Sequence, residues 1–291
     1  MKKIFFFIGA GILLGGGLVY GVVSYMAAQR IKGEVAEFVE QSPAVEQISY
    51  DAVRVGVIRP TAHFKNIRIK LARYQAPIQV DHLDLDVRQQ EHGTPLKARM
   101  EINGLHLNVH HGLLGAALGR QLEAMGYNDV TVKGALAYAY DPADKRLDLD
   151  DLTLQAEKIG RLQLTLSLAN VDLADLAAKG KQANVIALIV GLPTMKIVRG
   201  RVVYRDDSFM RRLDRLKPSP VGQGRRILAR ALAEERNEGN RRNIKVMQSF
   251  MDHPKSIAAS LEPGEPVQLL RFLWVKKPMD IFELLNVTLT I

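Results

Sequence analysis

The 291 residues contain no cysteine. That excludes a disulfide scaffold, a zinc–thiolate site, an iron–sulfur cluster and a cysteine nucleophile. Aromatic residues are few, 6% with a single Trp, which leaves little of the stacking surface that binds single-stranded nucleic acid. Catalytic motifs are missing too. There is no G-x-S-x-G elbow and no G-x-x-x-x-G-K-[ST] phosphate loop, and Gly222-Gln223-Gly224 lacks the third glycine and the preceding strand of a dinucleotide fingerprint. These absences point to a non-enzymatic protein with no catalytic residues, no cofactor and no metal. Acidic residues are the minority sign, 31 against 40 basic, for a net charge of +9. Such a balance suits an anionic partner such as lipid headgroups or nucleic acid.

Charge is also missing from the whole of Ile4–Gln29, 26 positions dominated by Ile, Phe, Leu, Val, Gly and Ala. Crossing a bilayer's hydrocarbon core takes about 20 helical residues, so residues 1–29 read as a transmembrane anchor. The rival is a cleaved signal peptide. Its apolar core is normally about 7–15 residues, and Tyr25-Met26-Ala27-Ala28 has no small residue at the third position before a cut. Lys2 and Lys3 before the span nearly balance Arg30 and Lys32 after it. A short N-terminal tail on the cytoplasmic side would place the bulk of the chain outside the cytoplasm. Gly11 with Gly15, and Gly17 with Gly21, would let a partner helix approach closely.

Residues 30–45 read as a juxtamembrane helix, with Ile31, Val35, Phe38 and Val39 at helical spacing and Pro43 as its stop. The period then drops to two, and one template recurs: apolar residues alternate, the phase slips by one, and alternation resumes. Its copies are Ile48, Tyr50, Val53, Val55, Val57; Ala62, Phe64, Ile67, Ile69, Leu71; Ile78, Val80, Leu83, Leu85, Val87; Met100, Ile102, Leu105, Leu107, Val109; and Leu147, Leu149, Leu152, Leu154, Ala156. One extra residue flips every later side chain to the other face, so each slip predicts a bulge or bend. Five slips at one relative place predict a sheet bending along one line. The opposite faces carry Asp, Arg, Lys, Gln and His, as in a half-solvated antiparallel meander.

Further strands are predicted at 129–140, 161–169, 197–204, 256–261 and 286–291, with a helix near 112–125 closed by Gly126. After residue 205 the pattern is helical: a helix capped by Asp206 or Asp207 and reaching Leu216, then 221–236, 241–252, 266–274 and 279–285. The fold class is therefore α+β, mostly β. It has a β-rich domain over 46–205 and a helical segment with returning strands over 206–291, or one domain spanning 46–291.

The apolar face, with Val53, Val55, Val57, Ile67, Ile69, Leu83, Leu85, Leu105 and Leu107, is a candidate lipid-binding surface if the curved sheet leaves a groove, and a packed core if it closes. Residues 201–245 hold 13 Lys+Arg against 6 Asp+Glu, whereas residues 30–200 are nearly balanced at 21 against 20. Arg211, Arg212, Arg215, Arg225, Arg226 and Arg230 on the predicted helices are candidate headgroup ligands. Pairing with Glu234, Glu235 and Glu238 would make them a solvated surface instead. The anchor and the scarcity of interleaved aromatics argue against nucleic acid as the partner. His106, Asn108, His110 and His111, with His82, are the one histidine cluster, with His106 and His110 expected on one strand face. The acidic run Asp141, Asp144, Asp148, Asp150 and Asp151 lacks the glycine and terminal glutamate of a calcium loop and reads as a hairpin turn. Trp274 is expected in a short core helix, with a membrane interface beside Lys276 and Lys277 as its alternative.

The stretches Val53-Arg54-Val55-Gly56-Val57, Asn66-Ile67-Arg68-Ile69, Val80-Asp81-His82-Leu83-Asp84-Leu85 and Ile102-Asn103-Gly104-Leu105-His106-Leu107 follow the single span. Together they resemble the N-terminal part of AsmA/TamB-type envelope proteins over about residues 1–110. Gly200–Asp207 and Leu284–Leu289 resemble stretches of uncharacterised bacterial membrane-anchored proteins. Members of the first group are longer, and the helical last third departs from them. The resemblance implies a single-pass protein of the bacterial inner membrane, with its C-terminal domain in the periplasm, that binds or handles membrane lipid. The alternative is a scaffold or assembly factor for a membrane protein complex.

Overall fold

In the computed structural model the described residues are 39–40, 45–55, 61–72, 76–91, 94–111, 116–173, 194–275 and 278–291. The anchor with Gly11, Gly15, Gly17 and Gly21, most of the juxtamembrane segment, and Val57 lie outside them. Among the described residues no helix is long and apolar enough to cross a membrane.

The chain is mostly antiparallel β-sheet with helices added. Strands β1 (Val45–Ser49), β2 (Ala52–Val55), β3 (Thr61–Leu71), β4 (Ile78–Glu91) and β5 (Thr94–Asn108) come first. Helix α1 (Ala116–Ala124) precedes β6 (Asp129–Asp141), β7 (Arg146–Ala156), β8 (Gly160–Ala169) and β9 (Lys196–Asp206). Then come α2 (Phe209–Asp214), α3 (Pro220–Glu234), α4 (Glu238–Asp252), β10 (Ser256–Leu261), β11 (Val267–Gln268), a 3₁₀ turn (Leu269–Trp274), α5 (Pro278–Leu284) and β12 (Val287–Thr290). All strands join one 12-stranded sheet in the order β1-β3-β4-β5-β6-β7-β8-β9-β10-β12, with β2 beside β3 and β11 beside β9. The three strands after residue 206, β10, β11 and β12, thus extend the sheet begun before it.

The phase slips have distinct structural causes. The first is a break between β1 and β2, both of which pair with β3. The next three fall on one line. Asn66 in β3 adopts a left-handed φ of 52°, Asp81 lies opposite it in β4, and Gly104 in β5 has φ 68°. Asn and Gly are the residues that tolerate this conformation. A β-carbon at Gly104 would collide with the Asp81 carboxylate. Register is kept from β3 to β5 because all three strands slip together, and the extra residue is absorbed as a bulge between β5 and β6. The fifth slip departs from the expected line. It is a separate bulge at Asp150–Asp151, opposite Ala137–Tyr138, whereas the first line reaches β6 near Lys133.

Sequence and structure agree closely on the helices, and their ends have readable causes. Ser219 accepts from Gly222 N at 2.9 Å, and Pro220 opens α3 at its first position. Asn237 caps α4 through Asn240 N at 3.1 Å, three residues earlier than expected. Ser208, not Asp206 or Asp207, precedes α2, yet Asp206 Oδ1 still accepts from Met210 N at 3.0 Å. Gly126 takes φ 81° after α1.

Helix α4 seals the β12 end of the sheet. Buried Asn243 donates from Nδ2 to Val287 O at 2.7 Å and accepts from Leu289 N at 2.9 Å through Oδ1. One side chain thereby satisfies an edge strand as a further strand would. Beside it Ile244 is fully enclosed, and Phe250 meets Tyr204 edge-on at 6.1 Å.

Candidate functional site

The apolar face carries four buried clusters. The first joins Ala62, Phe64, Ile67, Val80, Leu85, Val87, Ala98 and Met100, with Val53, Ile69, Leu83 and Leu105 packed against it. Leu107 belongs to the second, where α1 and α2 meet the start of β6 through Leu122, Met125, Tyr127 and Val130. The described apolar candidates therefore pack on one another, and Val55 pairs its backbone with Ala62.

Between these clusters lies a less covered band that the sequence reading did not single out. Cross-strand partners share a face, so the registers place Leu136, Leu152, Leu164 and Val202 in one row. Gly134, Leu154, Leu162 and Tyr204 form the next, and Tyr138, Leu149, Leu166 and Gly200 the one on the other side. Leu149, Leu152, Leu154, Leu162, Leu164 and Val202 are all half-buried, and none belongs to the four buried clusters. Four strands at about 4.8 Å spacing make this floor about 14 Å wide. The second cluster closes one end, and Val171, Leu173 and Met195 with Tyr140 and Leu147 close the other. Phe250 of α4 stands at the β9 side. The signal in the sequence was the near-exclusive use of leucine at alternate positions of 147–154 and 162–168.

Tyr204 marks that border. Its hydroxyl is within donating distance of Ile159 O at 3.0 Å and Asp206 Oδ1 at 2.9 Å. Burial, then the adjacent Asp206 charge, push the phenol far above its ordinary value, so it stays a donor. Burial alone pushes Tyr138 up to about 12.

The six candidate arginines divide by what they touch. Arg212 donates to Met125 O at 3.0 Å and lies over the Tyr127 ring at 4.6 Å, tying α2 to the end of α1. Arg225 donates to Met251 O at 2.9 Å at the end of α4. Its Nε lies 3.0 Å from Asp252 Oδ1, but the N–H is not aimed at that oxygen, so the pair is Coulombic rather than hydrogen-bonded. Arg211 reaches back to Asp207 O at 3.4 Å. Arg215, Arg226 and Arg230 are exposed and pair with no acid among the described residues. Arg226 and Arg230 flank Ile227, which is 51% exposed, on the outer side of α3. A family model described as an uncharacterized protein matches residues 153–291. No curated protein matches the chain. The matched stretch runs from β7 onward and takes in part of the leucine band and all six arginines.

Other candidates are accounted for locally. His106 Nε2 lies 3.0 Å from Asp81 Oδ1 and His63 Nδ1 2.6 Å from Asp84 Oδ1, on the solvated face. The strand ends at Asn108, so His110 sits in a 3₁₀ turn near Glu123 and does not share the face of His106. Among the described residues no group of three or more His, Asp or Glu is placed to hold a metal ion. Asp141 Oδ1 accepts from Ala143 N at 2.9 Å and Asp144 N at 3.3 Å, which makes the expected hairpin turn. An open depression of about 710 Å³ at the α3–α4 turn is lined by Glu234, Glu235, Arg236, Glu238 and Arg241. It is polar, and Arg241 there holds the carbonyls of Leu232 and Glu235.

Proposed function

We propose that the protein is a single-span protein of the bacterial envelope, anchored in the inner membrane, whose periplasmic sheet binds lipid without catalysing a reaction. The half-buried leucine band carries this reading. A floor of six apolar side chains outside the four clusters of the described residues is one an acyl chain can cover, gaining about 0.8 kcal/mol for each methylene buried. The unpaired Arg215, Arg226 and Arg230 fit a phosphate-bearing headgroup, and near a bilayer each well-placed charge is worth about 1 kcal/mol. The uncharged run at Ile4–Gln29 supplies the anchor.

The test compares lipid bound to the full chain with that bound to a Leu152→Asp/Leu164→Asp variant, by native mass spectrometry and lipid extraction. Lipid around the anchor is common to both. The proposal expects the variant to lose a stoichiometric phospholipid that the parent keeps. Equal lipid in both, or a stoichiometric protein partner in its place, refutes the reading and turns attention to an assembly role.

A further inference from the structure

The 3₁₀ turn Leu269–Trp274 has two sides. With three residues per turn, positions i and i+3 lie one above the other. Leu269 and Phe272 form the inner row and pack into the clusters around Val171 and Ile197. The turn is fixed to the sheet by Leu269 N bonding Met195 O at 2.9 Å. That anchoring forces the next rows outward. Trp274 is 77% exposed, Leu270 37%, and Arg271 is exposed. The expected core position for Trp274 is therefore not what the turn provides, because Leu269 and Phe272 already occupy the inner side.

Along the chain, the charges nearest the indole are of one sign. From Pro266 to Met279 there are three basic residues, Arg271, Lys276 and Lys277, and no acidic one. An outward indole with a neighbouring leucine and basic flanks suits the boundary between headgroups and acyl chains, where the ring is buried and its N–H stays wet. A protein partner would need matching acids, and an isolated aromatic among bases matches an anionic bilayer without them. We propose that Trp274, Leu270 and Arg271 dock the folded domain on the surface of an anionic bilayer, as a contact separate from the anchor and from the leucine band. This rests on the reading that the protein works at a membrane, and not on lipid binding by the sheet.

The chain has one Trp, so intrinsic fluorescence reports on this position alone. The full chain is reconstituted into phosphatidylcholine vesicles with and without phosphatidylglycerol, some carrying brominated acyl chains. The expected result is a blue-shifted emission quenched by the brominated lipid in anionic vesicles, lost in Arg271→Glu. The Leu152→Asp/Leu164→Asp variant keeps the shift, so failure of the band and failure of this contact are told apart. Water-like, unquenched emission in anionic vesicles overturns the proposal. So does a blue shift that grows with protein concentration in lipid-free detergent and is the same in vesicles with and without phosphatidylglycerol, which would assign the indole to a second copy of the chain.

Discussion

Replacing Asn243 by leucine tests how the open end of the sheet is held. Asn243 and Leu289 are buried, at 4% and 7% exposure, and the asparagine bonds both Leu289 N and Val287 O. Leucine has the same branched skeleton but a larger volume, so it leaves no cavity, while both backbone groups lose their partner. Each buried orphan costs about 1–3 kcal/mol, or about 2–6 for the two. The added apolar burial returns about 1–2 kcal/mol. At mid-range, about 4 less about 1.5, the net expectation is a loss of about 2.5 kcal/mol, a large part of the roughly 5–15 kcal/mol that holds a domain together. Urea unfolding followed by circular dichroism reads this as a lower midpoint, and the Leu289 amide should exchange faster in native-state hydrogen exchange. Asn243→Asp keeps the acceptor for Leu289 N but sets a charge against Val287 O. Its loss should be greatest at neutral pH and shrink on acidification, as the protonated acid regains a donor. A leucine variant within about 0.5 kcal/mol of the parent, well inside the cost of a single orphaned group, would refute the reasoning.

Four further outcomes follow from particular residues. Gly104→Ala should cost at least about 1 kcal/mol for its left-handed backbone alone, and more for displacing Asp81. Adding Asp81→Ala should recover the second part but not the first, as a double-mutant cycle measures. Tyr138 and Tyr204 have raised phenol values. The folded state therefore keeps protons that the unfolded state releases above pH 10, and stability falls as pH rises from about 10 towards 12. Melting temperatures across that range should flatten in Tyr138→Phe. Arg212→Ala should lower the melting temperature by removing the tie to Met125 O and the Tyr127 ring. Arg226→Ala/Arg230→Ala should leave melting unchanged and weaken sedimentation with anionic vesicles.

Much of the fold was legible because its signals are local. Period-two alternation marked the strands, and Gly126 marked the end of α1, whereas the caps at Ser219 and Asn237 start their helices before the expected 221 and 241. The slips were visible as well, and Asn66 and Gly104 are the residue types that a left-handed position selects. Their alignment was not. Which slips share a line depends on register between strands, and the bulge at Asp150–Asp151 falls elsewhere on the sheet. The site was harder to read for the same reason. Alternation identifies an apolar face but not how much of it the helices and turns cover. Hence Ile67 and Leu85 are enclosed while Leu152 and Leu164, identical in pattern, are not. Among the arginines, composition could not separate Arg212 and Arg225, bound to carbonyls, from Arg226 and Arg230, which face water. Trp274 was misplaced because the sequence shows a short apolar helix, not which three-residue row the sheet takes.

The central claim is that one face of the sheet, at the leucine band, meets lipid. Leu164 and Thr165 are adjacent in β8 and so point to opposite faces. A photo-crosslinking amino acid placed at each in turn, in full chain within phosphate-labelled membranes, measures that directly. The account predicts a phospholipid adduct from position 164 and none from position 165. No adduct at 164, or equal adducts at both positions, would contradict it.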